Sequence, residues 1–145
     1  MDTLGLVAIL TCGLFTGASV YINLVEHPAR LSCGTEIAAT QWAPSYKRAT
    51  MMQVTLAMLA AIAAGPRGAL AGDAAWVSGA ILIFAVIPFT VVVILPTNNK
   101  LLSPTRDRAS AETRALLERW GRLHAVRSAL NLLAFVLFVW TGTMR

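Results

Sequence analysis

Two histidines, each followed three residues later by an arginine, are the groups in this chain best suited to acid–base chemistry. His27 and Arg30 directly follow the first apolar stretch, and His124 and Arg127 directly precede the last one. Imidazole titrates near neutral pH, so it can accept or release a proton under ordinary conditions. Ionisable groups at or inside apolar segments are costly, and their clustering indicates a functional site.

The elements that position these residues are predicted by the distribution of charge. Hydrophobic residues make up 57% of the 145 residues and charged residues 13%, against roughly 25% charged in a soluble domain. Four stretches hold no charge at all, and each approaches or exceeds the roughly 20 residues that cross a bilayer as a helix. They are residues 3–25, 49–66, 74–99 and 128–144.

These stretches predict an all-α fold, a transmembrane four-helix bundle formed as a single domain by residues 1–145. We expect spans at about 4–25, 47–65, 74–95 and 122–142, with long loops at 26–46 and 96–121. The first stretch is expected to be a retained span rather than a cleaved signal, because Asp2 and no basic residue precedes its long apolar run.

The basic residues predict the orientation of the bundle. Nine Lys or Arg side chains fall in or beside the two long loops, whereas only Arg67 and Arg145 fall on the other side. This bias places both long loops in the cytoplasm and both termini on the non-cytoplasmic side. We therefore expect a multi-pass protein of the plasma (inner) membrane whose net charge of +5 faces the lipid bilayer and not nucleic acid.

With both long loops on one side, the polar residues near them converge at one end of the bundle. Trp120, His124, Arg127 and Asn131 share one helix face at 100° per residue. An ion pair between Glu26 and Arg127 is expected, because a guanidinium one turn inside a span needs a partner. The other candidate substrate-binding residues at this end are Trp42, Tyr46, Lys47, Asn98 and Asn99.

Four short motifs give the chain a resemblance to a known family. They are His-Pro-Ala-Arg at 27–30, Trp-x-x-Ser-Tyr-Lys-Arg at 42–48, Asn-Asn-x-Leu at 98–101 and Trp-x-x-x-His-x-x-Arg at 120–127. The chain resembles the anthrone oxygenase-like family of small four-helix membrane proteins, many of which have no assigned activity. The resemblance implies oxidation of a hydrophobic, anthrone-like aromatic molecule to a quinone of the polyketide type, with O₂ and without a dedicated organic cofactor.

The residues can be assigned roles in such a reaction. An anthrone has an acidified C–H bond, and His124 is the expected base, with His27 as a second proton-transfer or substrate-orienting group. Arg127, Asn98 or Lys47 can donate to the developing oxyanion. The flat aromatic rings of the substrate can stack on Trp42, Tyr46 and Trp120.

Two other classes of function stay open on the sequence alone. Copper or iron bound by His27, His124 and Glu26 would make the protein a metal-dependent oxidoreductase, since imidazole suits both metals. Alternatively, the chain is a non-enzymatic membrane module that binds a hydrophobic metabolite or a partner protein, because it carries no complete catalytic motif. Assembly into a homo-oligomer is compatible with each of these functions.

Overall fold

The computed structural model describes residues 2–143, and this part of the chain is helical without any strand. Two short π-helical segments, Ile22–Glu26 and Thr90–Ile94, each join two α-helices without a break. The α-helices are α1 (Thr3–Tyr21), α2 (His27–Ser32), α3 (Thr35–Ala71), α4 (Ala74–Phe89), α5 (Leu95–Leu101) and α6 (Ala111–Thr143).

Four continuous helices are long and apolar enough to cross a membrane, namely Thr3–Ser32, Thr35–Ala71, Ala74–Leu101 and Ala111–Thr143. Large apolar side chains such as Leu24, Met51 and Val92 lie exposed on the outer surface. Such a surface suits hydrocarbon rather than water. The predicted all-α fold, with four helices long and apolar enough to span a membrane, is confirmed.

Both π segments precede a proline, and they explain why the helices run further than expected. Pro28 and Pro96 are each the second residue of the α-helix that follows a π segment. Proline has no N–H and collides with the carbonyl of the preceding turn, and a local widening of the helix relieves that conflict. The helices therefore continue to Ser32 and Leu101, where loops beginning at 26 and 96 were expected.

The second long helix also extends beyond the expected span of 47–65, since α3 begins at Thr35 and continues through Pro66 to Ala71. A Cβ atom on Gly68 would lie 2.8 Å from the backbone nitrogen of Val77, so this glycine permits close packing of α3 against α4. Gly34 and Gly72 flank α3 at its two ends. Their φ angles of 93° and 62° suit glycine.

Side-chain caps fix the starts of two helices. The carboxylate of Asp73 accepts hydrogen bonds from the backbone nitrogens of Ala75 and Trp76 at the start of α4. At the start of α1, Asp2 accepts from the backbone nitrogen of Gly5 at 2.7 Å. This hydrogen bond holds the pKa of the Asp2 carboxyl below its ordinary value.

Each long helix packs mainly against two neighbours, and α3 and α6 also touch across the bundle. The first and third spans both contact α3 and α6, so the four helices form a closed ring. At the end near the termini, aromatic side chains including Trp76 and Phe138 pack against small residues of α3. At the opposite end, Trp42 and Trp120 form a second apolar cluster. The candidate site lies between these clusters and beside the second one.

Candidate functional site

The imidazole of His124 is held by Asn23, which lies in the first π segment. Nδ1 of His124 lies 2.7 Å from Oδ1 of Asn23. That oxygen also accepts a hydrogen bond from Ser128 Oγ at 2.6 Å, while Nδ2 of Asn23 donates to the carbonyl oxygen of Gly121 at 3.1 Å. Because the amide oxygen must accept, Nδ1 of His124 carries the proton and Nε2 carries the lone pair.

Arg127 donates a hydrogen bond to that lone pair. Its Nη2 lies 2.6 Å from Nε2 of His124 and 2.6 Å from Oε1 of Gln53 on α3. Guanidinium has donors only, which agrees with an unprotonated Nε2. Nε of Arg127 and Nε2 of Gln53 are buried and have no hydrogen-bond partner among the residues that the structure describes. Two donors therefore remain free for an acceptor group of a ligand.

Trp120 lies between the two histidines at this end of the molecule. Its ring centroid lies 4.8 Å from that of His124 and 5.0 Å from that of His27. Trp42 meets it edge-on at 5.7 Å, and Tyr46 stacks on Trp42 at 4.9 Å. The five rings form one continuous aromatic cluster across the first span, α3 and α6.

His27 is engaged differently from His124. Its Nε2 lies 3.0 Å from the carbonyl oxygen of Leu117, and a carbonyl can only accept, so Nε2 carries the proton. The approach depends on Gly121, where a Cβ atom would lie 2.7 Å from Nε2 of His27. Nδ1 of His27 is buried without a hydrogen-bond partner in residues 2–143. His27 does not line the polar cavity described below.

The expected ion pair between Glu26 and Arg127 does not form in the structure. Glu26 instead pairs with Arg30, one turn further along the same helix, and accepts a hydrogen bond from Ser45 at 2.8 Å. The local pair is available because the helix continues past Pro28, which brings positions 26 and 30 onto one face. Arg127 takes the neutral partners Gln53 and His124.

The structure separates the remaining candidates into buried and exposed residues. Asn98 is 0% exposed, and neither its amide nitrogen nor its amide oxygen has a partner among the described residues. Asn131 is also buried, one turn deeper than Arg127, and its Nδ2 donates to Ser19 at 3.3 Å. Lys47 and Asn99 are exposed, and neither lines the two cavities described below.

Two adjoining cavities accompany these residues. The polar cavity, of about 20 Å³, has room for about one water molecule and is lined by His124, Arg127, Asn98 and Trp120 among others. The apolar chamber, of about 180 Å³, lies deeper between α3 and α4. Both cavities are lined by Tyr46, Thr50, Gln53, Thr90 and Arg127.

Three residues of this network were not singled out as site residues by the sequence, namely Asn23, Gln53 and Ser128. Gln53 follows Tyr46 by seven positions, which is a helical repeat that marks the same face of α3. Asn23 and Ser128 are polar residues inside or next to apolar stretches, and lipid cannot satisfy their hydrogen bonds. That requirement was the available signal, although it does not identify the partners.

A metal site has little support from the geometry. Among residues 2–143, no group of three or more His, Cys, Asp or Glu side chains is placed to hold a metal ion. Glu26 is engaged by Arg30, and Trp120 contacts both imidazoles. The copper or iron alternative therefore lacks a third ligand in the described part of the chain.

The fold and the site define an all-helical protein, with four helices able to span a membrane, in which a buried histidine pairs with a half-buried arginine beside an apolar chamber. The family model described as anthrone oxygenase matches residues 42–137, so this chain belongs to the anthrone oxygenase family. No solved structure matches the chain.

Three fungal relatives are similar over most of their length. Anthrone oxygenase tpcL of Aspergillus fumigatus is 29% identical over 140 residues, which cover 90% of this chain and 87% of the relative. An anthrone oxygenase of Claviceps purpurea is 28% identical, covering 87% of this chain and 81% of the relative. Anthrone oxygenase AgnL2 of Paecilomyces divaricatus is 29% identical, covering 90% and 89%.

Proposed function

We propose that this protein is a membrane enzyme that oxidises an anthrone-like aromatic ketone to a quinone with O₂ and without an organic or metal cofactor. The observation that carries the proposal is the hydrogen bond between Arg127 and the unprotonated Nε2 of His124 beside unpartnered donors. Membership of the anthrone oxygenase family supports the reaction class. Named relatives alone do not establish activity, which rests on the site.

Binding of substrate begins the proposed reaction by exchanging the partners of Arg127. The oxygen of an anthrone, which becomes negatively charged on deprotonation, accepts hydrogen bonds from Arg127 and from Nε2 of Gln53. Nε2 of His124 is then free to remove a proton from the methylene carbon, while Asn23 holds Nδ1–H. In a site screened from water, the guanidinium stabilises the oxyanion strongly.

Oxygen then reacts with the electron-rich anion. One electron passes to O₂, and the resulting radicals join in a C–O bond to give a hydroperoxide, which takes its proton from the imidazolium of His124. The neutral imidazole removes the second proton from the same carbon, the O–O bond breaks, and hydroxide leaves as water with that proton. Overall, a CH₂ group and O₂ become a C=O group and H₂O.

The test is quinone formation by purified protein in detergent or lipid nanodiscs, with 1,8-dihydroxyanthrone in air-saturated buffer. We expect quinone to form faster than in protein-free controls, and His124→Ala to return the rate to that background. Arg122→Gln, at an exposed position of the same helix, is the matched control and should retain activity. Equal rates for wild type and His124→Ala would refute the assignment.

A second candidate function is binding without turnover, by a membrane module for a hydrophobic metabolite or a partner protein. The preformed apolar chamber of about 180 Å³ favours the metabolite. The distinguishing result is saturable binding of an anthrone with no increase in O₂ consumption.

We also propose the topology that the charges predict, with both termini outside the cytoplasm and the site near the cytoplasmic face of the plasma membrane. Cysteines introduced at exposed positions of the segment 102–110 should react with a membrane-impermeant maleimide only after the cells are opened. Reaction in intact cells would reverse the orientation. Cross-linking in native membranes would decide whether the protein forms a homo-oligomer.

A further inference from the structure

The apolar chamber lies where an entrance from the lipid would be expected. Its lining includes Phe15, Val54, Ala57 and Val86, which are near the middle of their spans. The chamber therefore lies about halfway along the helices and not at either end of the bundle, where the loops are. A ligand that reaches it must come either through the polar cavity or from the side.

The side of the chamber is open to the outer surface. Val54 on α3 and Val91 in the second π segment both line it, yet they are 46% and 55% exposed. Residues that are half exposed and still line a cavity mark its mouth. This mouth lies in the gap between α3 and the third span, on the surface that faces hydrocarbon.

The second π segment contributes to the opening. Thr90 and Val91 begin it, and both line the chamber. A π turn widens the helix and is often found at functional sites. Oγ1 of Thr90 donates to the carbonyl oxygen of Val86 at 2.7 Å, so its hydroxyl is satisfied within the helix and leaves the mouth apolar.

The inner end of the chamber meets the polar site. Arg127 lines both cavities, and its Cζ lies 5.7 Å from the ring centroid of Phe15 in the chamber wall. An engineered apolar cavity of about 150 Å³ binds benzene, so a chamber of about 180 Å³ fits one or two fused rings. Their oxygenated edge would reach the guanidinium.

We propose that the chamber between α3 and α4 is a lateral portal and ring-binding subsite, through which a flat hydrophobic molecule enters from the bilayer with its oxygen-bearing edge first. The proposal rests on the proposed function for the identity of the polar edge, but it concerns the route and the subsite. The water-sized polar cavity then holds only the reacting edge. One or two of the ligand's fused rings lie in the chamber, behind the two valines and against Phe15, and a third ring lies in the open mouth.

The experiment narrows the mouth with phenyl rings and measures binding separately from turnover. The probe is 9,10-anthraquinone dissolved in the lipid of proteoliposomes, and the readout is saturable quenching of tryptophan fluorescence. The portal variant is V54F/V91F. The control is M51F/V92F, because Met51 and Val92 are 77% and 72% exposed and lie outside the chamber lining.

For wild type and M51F/V92F we expect equal saturable quenching. For V54F/V91F we expect the affinity to fall by about tenfold or more, since the added rings take up the space that the ligand's apolar surface would fill. Val54→Ala should bind anthraquinone at least as rapidly as wild type does. This variant keeps the test informative if the double variant does not fold. Equal binding by folded V54F/V91F and wild type, slower binding by Val54→Ala, or no saturable quenching in wild type would overturn the portal.

Turnover of 1,8-dihydroxyanthrone by the same samples separates the two proposals. Saturable quenching that depends on the mouth, without any quinone formation, would reject the oxygenase and retain the portal. Quinone formation that is equal in wild type and folded V54F/V91F would retain the oxygenase and reject the portal.

Discussion

Asn23 and His124, which are 101 residues apart in the chain, are joined by a hydrogen bond of 2.7 Å between Oδ1 and Nδ1. The bond determines which nitrogen of His124 carries the lone pair, because Asn23 also donates to the carbonyl oxygen of Gly121 and so cannot turn its amide around. Asn23 acts through His124 and is a positioning residue. A similar arrangement orients the imidazole in hydrolases that use a histidine and an asparagine.

Replacing Asn23 by Leu should therefore lower kcat by about 100-fold or more while KM changes little, because the imidazole loses its orientation but the cavity remains. Asn23→Asp keeps an acceptor for Nδ1–H and should recover part of kcat. Steady-state quinone formation measures both variants. A rise in KM with unchanged kcat would show that Asn23 contacts the substrate instead.

Arg127 should be more sensitive to shape than to charge. Arg127→Lys retains the positive charge but removes the planar guanidinium and its Nε, which is the unpartnered donor left for a ligand oxygen. We expect kcat/KM to fall by about 100- to 1000-fold, as when an oxyanion donor is removed. The measurement is the initial rate of quinone formation at subsaturating anthrone. Arg127→Lys with wild-type kcat/KM would contradict the oxyanion role.

Gly121 should be needed for the position of His27. In Gly121→Ala, the new Cβ atom would lie 2.7 Å from Nε2 of His27. We expect a loss of about 1–3 kcal/mol of stability from overpacking, observed as a lower Tm in detergent. Gly17 is the matched control, because a Cβ atom there meets nothing within 4 Å. Gly17→Ala should leave Tm unchanged or raise it.

The clash can be assigned by a double-mutant cycle. His27→Ala removes the ring that the new methyl group would strike, so adding Gly121→Ala to His27→Ala should cost little further stability. Strictly additive losses would mean that Gly121 serves some purpose other than admitting His27.

The helices and one face of the site could be predicted, because they depend on local chemistry. Charge-free stretches of spanning length predict four helices, and the 100° rotation per residue brings Trp120, His124 and Arg127 onto one face of α6. Helix phase also explains why Lys47 lies outside both cavities. It is one position from Tyr46, and this rotation turns it outward.

The partners of Glu26 and His124 could not be predicted, because they depend on the first π segment. With a helix that ended near Pro28, Glu26 would have been free to reach Arg127. The π segment lets the helix continue, and Glu26 then meets Arg30 within one turn. The same segment contains Asn23, the partner of His124. Helical periodicity in the sequence does not predict a π segment, so it could not identify this partner.

Asn98 should lower the stability of the fold and, at the same time, contribute to the binding of a ligand. Its side chain is 0% exposed, lines the polar cavity and leaves both amide atoms without partners among the described residues. An unsatisfied buried polar group costs about 1–3 kcal/mol, so Asn98→Leu should raise Tm. The same change removes a donor and an acceptor from the ligand site, and we expect anthraquinone affinity to fall by about tenfold, or roughly 1.4 kcal/mol.

Asn99 provides the comparison, since it is adjacent in sequence but exposed. Asn99→Leu should change neither Tm nor affinity by a measurable amount, because surface substitutions usually stay within about 0.5 kcal/mol. Thermal unfolding and fluorescence quenching on the same preparations measure both quantities. If Asn98→Leu lowered Tm and left affinity unchanged, the amide would stabilise the fold through hydrogen bonds within the protein. It would then have no role in binding a ligand.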